Sequence, residues 1–296
     1  AFHAAGQRQN GQGDSALRSF RARDVFGVDG QGIKVGVISD SYNTIIGNPA
    51  GDDVQRGDLP GVANTEHPTP VQVLQDYPFG TRTDEGRAML QIVHDVAPGA
   101  DLAFRTGFVG AIDMANGIRA LEQAGCDVIV DDVSYISEPF FRDGVVAQAV
   151  DQVKALGVSY FSAAGNFGTN SWQGTFAAAA APAGVTGQAH DFDSGAGTDI
   201  LQSIKLYQGD YTVVFQWDDG TAGTTTNSDF DIYLAGNTGN LLFGFNRMNI
   251  GGDAIEILPF TVTADSVMSN IAIIRASGTA AATIKYIVYR GLLKIN

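Results

Sequence analysis

The chain has 296 residues, 44% of them hydrophobic, with 18 Lys and Arg against 32 Asp and Glu and a formal net charge of −14. That length suffices for one large domain or two medium ones, each with a real core. Acidity of this size argues against a nucleic-acid backbone or an anionic membrane as partner, and no apolar run approaches the roughly 18 residues of a membrane span.

Taken from the N-terminus, the first strong element is the apolar run 33–39, a buried strand ending at Asp40. A loop rich in Gly, Pro, Asn and Asp follows to about Thr83. A helix fits 85–95, with Ala88, Met89, Ile92 and Val93 at helical spacing and Asp84 as its N-cap. Strand 101–105, helix 111–124, strand 127–133, helix 144–156 and strand 158–163 continue the alternation. Such alternation predicts right-handed crossovers and a parallel sheet covered on both faces. The single cysteine, Cys126, precedes an apolar run; it excludes an internal disulfide and reads as a buried structural thiol.

After about Gly187 the character changes to short alternating runs: 203–206, 211–217, 230–234, 254–260, 270–275 and 283–289. Gly, Asn, Asp and Thr punctuate them, the pattern of a β-sandwich. The expected division is therefore an α/β core over 1–187, a sandwich over 188–290, and a return to the core from 291.

Ligands of an open parallel sheet bind beyond the carboxyl ends of its strands. Asp40 ends the first strand, Asp131 and Asp132 lie near the end of the third, Asn166 follows the fourth, and Glu85 opens the helix facing that edge. Singly each reads as a turn residue, a solvated charge or a local cap. Together they read as a site.

At these residues the chain resembles the subtilisin-like serine peptidases, the subtilases. Val35-Gly36-Val37-Ile38-Ser39-Asp40-Ser41 resembles that family's strand bearing the catalytic aspartate, with one residue inserted before the acid. Glu85-Gly86 through Val96-Ala97-Pro98-Gly99-Ala100 resembles its His-Gly-Thr-His helix and the Ala-Pro-Gly-Ala that follows. Phe161 to Asn166 resembles the strand whose asparagine lines the oxyanion hole. The likeness covers roughly 14–176. It implies a subtilisin-like fold with an inserted, jelly-roll-like sandwich and a serine endopeptidase acting on extended polypeptide. Asp40, Glu85 and Asn166 would be catalytic, and Ser134, Tyr135, Ala163, Ala164 and Gly165 would flank the substrate, with Asp132 biasing the S1 pocket towards a basic side chain. No cofactor is required for that chemistry.

Two departures stand out. Glu85 occupies the histidine position, and no histidine is an obvious substitute for it, the loop residue His67 being the one left able to swing in. His94 lies about 180° round the same helix and roughly 13 Å along it, while His3, His67 and His190 fall in a tail, a loop and the start of the sandwich. The acid-acting sedolisins, which resemble subtilases in fold, use a glutamate base, but they carry an acid where Met89 stands and an Asp where Asn166 stands. A free glutamate titrates near pH 4.3; Asp40 would raise its proton affinity, the helix N-terminus and Arg87 would lower it. Activity is expected on the acid side of neutrality.

Secondly, no Gly-Thr-Ser nucleophile element is present. The nearest string, Gly278-Thr279-Ala280-Ala281-Ala282, precedes a strand-like run, not a helix. The chain is expected to be a fragment of a secreted or periplasmic enzyme, inactive alone, whose missing C-terminal part is a partner. Two alternatives stand beside it: a pseudo-peptidase binding through its sandwich, and a structural carrier. Finally, Asp218, Asp219, Asp229 and Asp231 form an acidic set suited to a structural calcium, or to a solvated edge. No paired-histidine zinc spacing occurs.

Overall fold

The computed structural model describes residues 12–220, 225–236, 238–279, 281–291 and 293–295. They divide into two compact units: one runs up to Glu138 and resumes at Asp143–Ala164; the other holds Pro139–Arg142 and continues from Gly165.

The first unit contains, in order, α1 (Gln12–Leu17), α2 (Ser19–Phe26), β1 (Lys34–Ser39), α3 (Pro49–Arg56), β2 (Gln72–Gln75), α4 (Glu85–Val96), β3 (Asp101–Thr106), α5 (Ala111–Gln123), β4 (Val128–Asp131), α6 (Val145–Ala155) and β5 (Ser159–Ser162). Its five strands form a parallel sheet in the order β2-β3-β1-β4-β5. Side chains alternate between its faces. Val35 and Val37 pack with Leu90 of α4, Leu102 and Phe104 on one side. Ile38, Ala103 and Ile129 pack with Met114, Ile118 and Leu121 of α5 and Ala149 and Val153 of α6 on the other. Cys126 lies in that second core as a buried free thiol. Burial raises its pKa to about 11, so it is inert as a nucleophile at neutral pH.

The second unit is antiparallel β throughout: β6 (Ser171–Thr175), β7 (Ala178–Ala180), β8 (Gln188–His190), β9 (Gln202–Asp218), β10 (Asp229–Ala235), β11 (Leu241–Phe245), β12 (Ile255–Ser277), β13 (Thr283–Arg290) and β14 (Leu293–Ile295). Its main path is β11-β10-β12-β9-β13-β6. The core takes Phe215 and Trp217 from β9, Phe230 and Ile232 from β10, Ile271 and Ile273 from β12, and Ile284 and Tyr286 from β13.

Three boundaries differ from the sequence reading. The change of architecture falls at Ala164/Gly165, not near residue 187, because β6 pairs with β13, and β7 with β8, inside the β unit. Segments 203–206 and 211–217 are one strand, β9, continuous through Gly209, which adopts φ 148°; 254–260 and 270–275 likewise merge into β12, whose register with β9 shifts between Val262 and Ser266. The terminal segment does not leave the β unit, since β14 pairs with β9.

Candidate functional site

Asp40 follows β1 at the carboxyl edge of the parallel sheet and is only 4% exposed. Its carboxylate is fully occupied by donors. Oδ1 accepts the backbone N–H of Glu85 at 2.9 Å and of Ser41 at 2.5 Å; Oδ2 accepts the backbone N–H of Thr83 at 2.8 Å and its hydroxyl at 2.5 Å. Burial alone would raise its pKa; the bonds from Thr83, Glu85 and Ser41 outweigh that and lower it. The bond to Glu85 satisfies an N–H that no intrahelical partner can reach. Asp40 therefore caps α4 from a neighbouring strand. Its hydrogen bond with Glu85 is to the backbone N–H.

Asp84 holds the residue position before α4 but makes no side-chain cap bond. Its backbone is left-handed, φ 55°, a strained state for a non-glycine residue. The carboxylate instead gathers the opposite loop. It accepts from the hydroxyls of Ser41 and Thr44 and the backbone N–H of Thr44, each at 2.8 Å, and from the N–H of Ile45 at 3.2 Å. Against the upward pull of burial these bonds bring its pKa down to about 2. Arg87 closes the network, bonding Asp84 at 2.5 Å, Asp53 at 2.9 Å and the carbonyl of Tyr42 at 3.0 Å. Arg87 is thus held by Asp84, Asp53 and the Tyr42 carbonyl.

Gly86 explains the Glu-Gly pair. A Cβ there would lie 2.3 Å from the Phe104 ring and 2.8 Å from the Ser41 carbonyl. Only glycine lets the start of α4 approach the strand ends so closely.

Asp132 belongs to the same edge. The β1–β4 register pairs Ile38 with Asp131, so Ser39 and Asp132 emerge side by side. The Ser39 hydroxyl donates to Asp132 Oδ2 at 3.1 Å. Asp132 Oδ1 is shielded from solvent and accepts no hydrogen bond. Burial raises the pKa of Asp132, the Ser39 bond opposes this, and the charge of Glu85 raises it further. Asp132 is thus tied to Ser39 and feels the charge of Glu85. Asp131 accepts from the Val133 N–H at 3.0 Å and the Ser162 hydroxyl at 3.1 Å.

Ser134 is exposed. Tyr135 is part-buried and its hydroxyl donates to the Gly107 carbonyl. Ala163 and Ala164 are exposed at the end of the first unit, Ala163 bonded through its N–H to Asp131 O at 3.0 Å. Gly165 and the exposed Asn166 open the second unit. His94 is buried, with its ring 5.0 Å from that of His67. His190 lies in the β unit between Trp172, Phe176 and Phe192, and His3 lies outside the described residues.

The four expected calcium ligands each accept hydrogen bonds from protein donors. Asp218 accepts from the Gly220 N–H, Asp219 from Thr226 and Asn227, Asp229 from the Asn249 N–H, and Asp231 from Tyr233. Among the described residues no three His, Cys, Asp or Glu side chains form a group fit for a metal ion. Sequence reading missed Glu256, which is wholly buried on β12. Burial, with the charge of Asp231, raises its pKa to about 7 against the pull of Arg247. Its place in an apolar alternation, Ile255-Glu256-Ile257-Leu258, was the available signal.

No family model and no curated protein sequence matches the chain. Among solved structures it is similar, at a TM-score of 0.21 and 15% identity over 47% of its length, to DesR, a β-glucosidase from Streptomyces venezuelae solved with D-glucose, of which it spans only 16%. It is similar to the lectin domain of lectinolysin complexed with Lewis B antigen at a TM-score of 0.20, with 17% identity over 43% of this chain and 95% of that one. The VP2 subviral particle of infectious bursal disease virus follows at 0.18 and 16%, over 41% and 30%. At such scores none bears on function. No helix among the described residues is long and apolar enough to cross a membrane.

Proposed function

We propose that the chain is part of a secreted, subtilisin-like serine endopeptidase in which Glu85 replaces histidine as general base. One observation supports this most. Glu85 stands on the first turn of α4, fixed by Asp40 to the end of β1, at the carboxyl edge where parallel sheets hold their ligands.

In this reading Glu85 accepts the proton of a serine supplied by a segment outside these 296 residues. The substrate is an extended polypeptide held by backbone pairing along Ser134-Tyr135 and Ala163-Ala164. A carboxylate base suits acid conditions, because catalysis is best when the base titrates near the working pH.

The test uses the chain extended through its downstream serine segment. It should hydrolyse a denatured protein substrate best below pH 7 and react with a serine-directed phosphonate. Glu85→Gln should lower kcat about 10²- to 10⁴-fold with little change in KM. Full activity in Glu85→Gln, or no phosphonate labelling of the extended chain, would overturn the assignment.

A further inference from the structure

We infer that Asp231, Asn249 and Glu256 make a buried site in the β unit for one hard divalent cation of the calcium type. The site is independent of the peptidase reading, which rests on the α/β unit.

Shielded oxygens without donors mark the place. Asp231 Oδ1, Asn249 Oδ1 and both carboxylate oxygens of Glu256 accept no hydrogen bond. Their residues are 6%, 5% and 0% exposed. A buried acceptor lacking a donor is uncommon in folded proteins, and a pair of buried carboxylates in that condition calls for a positive partner.

The backbone gathers these groups. Asp229 and Asp231 stand two residues apart on β10 and share a face of that strand, opposite the core residues Phe230 and Ile232. Asn249 closes on this face, its backbone N–H bonding Asp229 Oδ1 at 3.0 Å. Its side-chain Nδ2 bonds the carbonyls of Asp253 at 2.9 Å and Ile255 at 3.1 Å. Ile255 opens β12, and Glu256 is the next residue. Asn249 therefore bridges β10 to the start of β12, with its nitrogen held by carbonyls and its oxygen left over. Both the charge of Asp231 and the Asn249 side chain act on Glu256. Tyr233, whose hydroxyl donates to Asp231 Oδ2 at 3.2 Å, feels the charge of Glu256 in turn.

Arg247 does not fill the role of positive partner. It attracts Glu256, yet its exposed guanidinium lies over the Phe245 ring at 4.9 Å and donates to neither Glu256 oxygen. A doubly charged cation would cancel both carboxylates and take the amide oxygen as a further ligand. The donor set is oxygen throughout, which suits a hard cation and not zinc or copper. Two carboxylates and one amide make a sparse shell, so a dissociation constant of about 10⁻⁴ M is expected. Of the four aspartates that the sequence suggested for calcium, Asp231 belongs to this set, and Asp229 holds Asn249 in place.

The experiment is thermal unfolding of the 296-residue chain with calcium chloride or with a chelator. Tryptophan fluorescence reports the β unit, which holds Trp172 and Trp217. At pH 8, calcium at about 10 mM should raise the midpoint by about 5–10 °C. At pH 5, protons compete for the carboxylates and the increment should shrink. Glu256→Gln and Asp231→Asn, which keep size and remove charge, should each abolish most of the increment at pH 8. Terbium, a luminescent replacement for calcium, should be sensitised by Tyr233 in the wild type, displaced by calcium, and dark in both variants. A wild-type midpoint unmoved by calcium at pH 8 would overturn the site. An increment that persists in the variants would do so equally, since it would mark adventitious binding to surface acids of a chain with net charge −14. If one variant fails to fold, the other and the wild-type increment decide.

Discussion

Asp40 and Asp84 in the α/β unit and Asp231 and Glu256 in the β unit are all buried, at 4%, 2%, 6% and 0% exposure, yet they sit on opposite sides of their ordinary acidity. The first two are wrapped in backbone and hydroxyl donors, and their pKa values fall, that of Asp84 to about 2. The second two lack donors on at least one oxygen each. Burial, followed by the charge of Asp229 on one and of Asp231 on the other, raises them to about 6 and about 7. Removal from water is common to both pairs. The supply of N–H and O–H groups decides which form of the acid is stable.

The largest effect should come from breaking the donor-rich side. Asp84→Ala leaves Arg87 partly uncompensated and strands the N–H groups of Thr44 and Ile45; a loss of about 3–5 kcal/mol is expected, read from the far-UV circular dichroism of the helices in denaturant. A loss under about 1 kcal/mol would show that the network contributes little.

The donor-poor side should respond to pH with the opposite sign. Raised folded-state pKa values give stability that is complete below the unfolded values and is lost as pH rises through about 6 and 7. Each group contributes about 3 kcal/mol by this linkage. Both tryptophans, Trp172 and Trp217, lie in the β unit, so their fluorescence reports its unfolding alone. Denaturation midpoints should fall between pH 5 and pH 8, and Glu256→Gln should flatten that fall. An equally steep decline in the variant would exclude Glu256 as the source.

His190 sharpens the comparison from the acid side. Burial lowers its pKa to about 4, against the charge of Asp191. A depressed histidine costs stability as pH drops from about 6.5 towards 4, because the unfolded chain takes up the proton first. Its contribution is about 3 kcal/mol, opposite in sign to those of Asp231 and Glu256 over the same pH range, so His190→Gln should steepen the fall of the midpoint with rising pH while keeping a side-chain acceptor for the Ala177 N–H, which His190 accepts at 3.1 Å. The smallest effect is Ser39→Ala: about 1 kcal/mol of stability for one hydrogen bond.

The alternation of β1, α4, β3, α5, β4, α6 and β5 was legible because each element combines an apolar face with a clear period. Helices α1, α2 and α3 and strand β2 were not. Strand β2 is exposed or half-buried along its length, and α3 is an eight-residue helix with Pro49 in its first turn and only Ala50 and Asp53 buried, so hydrophobic periodicity had little to mark. Glycines suggested breaks in β9 where the strand runs on unbroken. At the edge of the sheet, the residues 40, 85 and 132 were found, but their partnerships were not. Which carboxylate takes which donor depends on the β1–β4 register and on the loop 41–45 closing over Asp84, contacts between segments distant in sequence. Sequence order could not show that Ser39 meets Asp132, which follows from the β1–β4 register.

Asp84 gives up its charge only near pH 2, and Asp40 too is held below the usual aspartate range. The ledge that carries Glu85 therefore keeps its anionic fastenings in media sour enough to neutralise ordinary carboxylates. Acid tolerance at this spot comes from the mortar around Glu85, so transplanting a lone glutamate into another scaffold would not carry the trait with it.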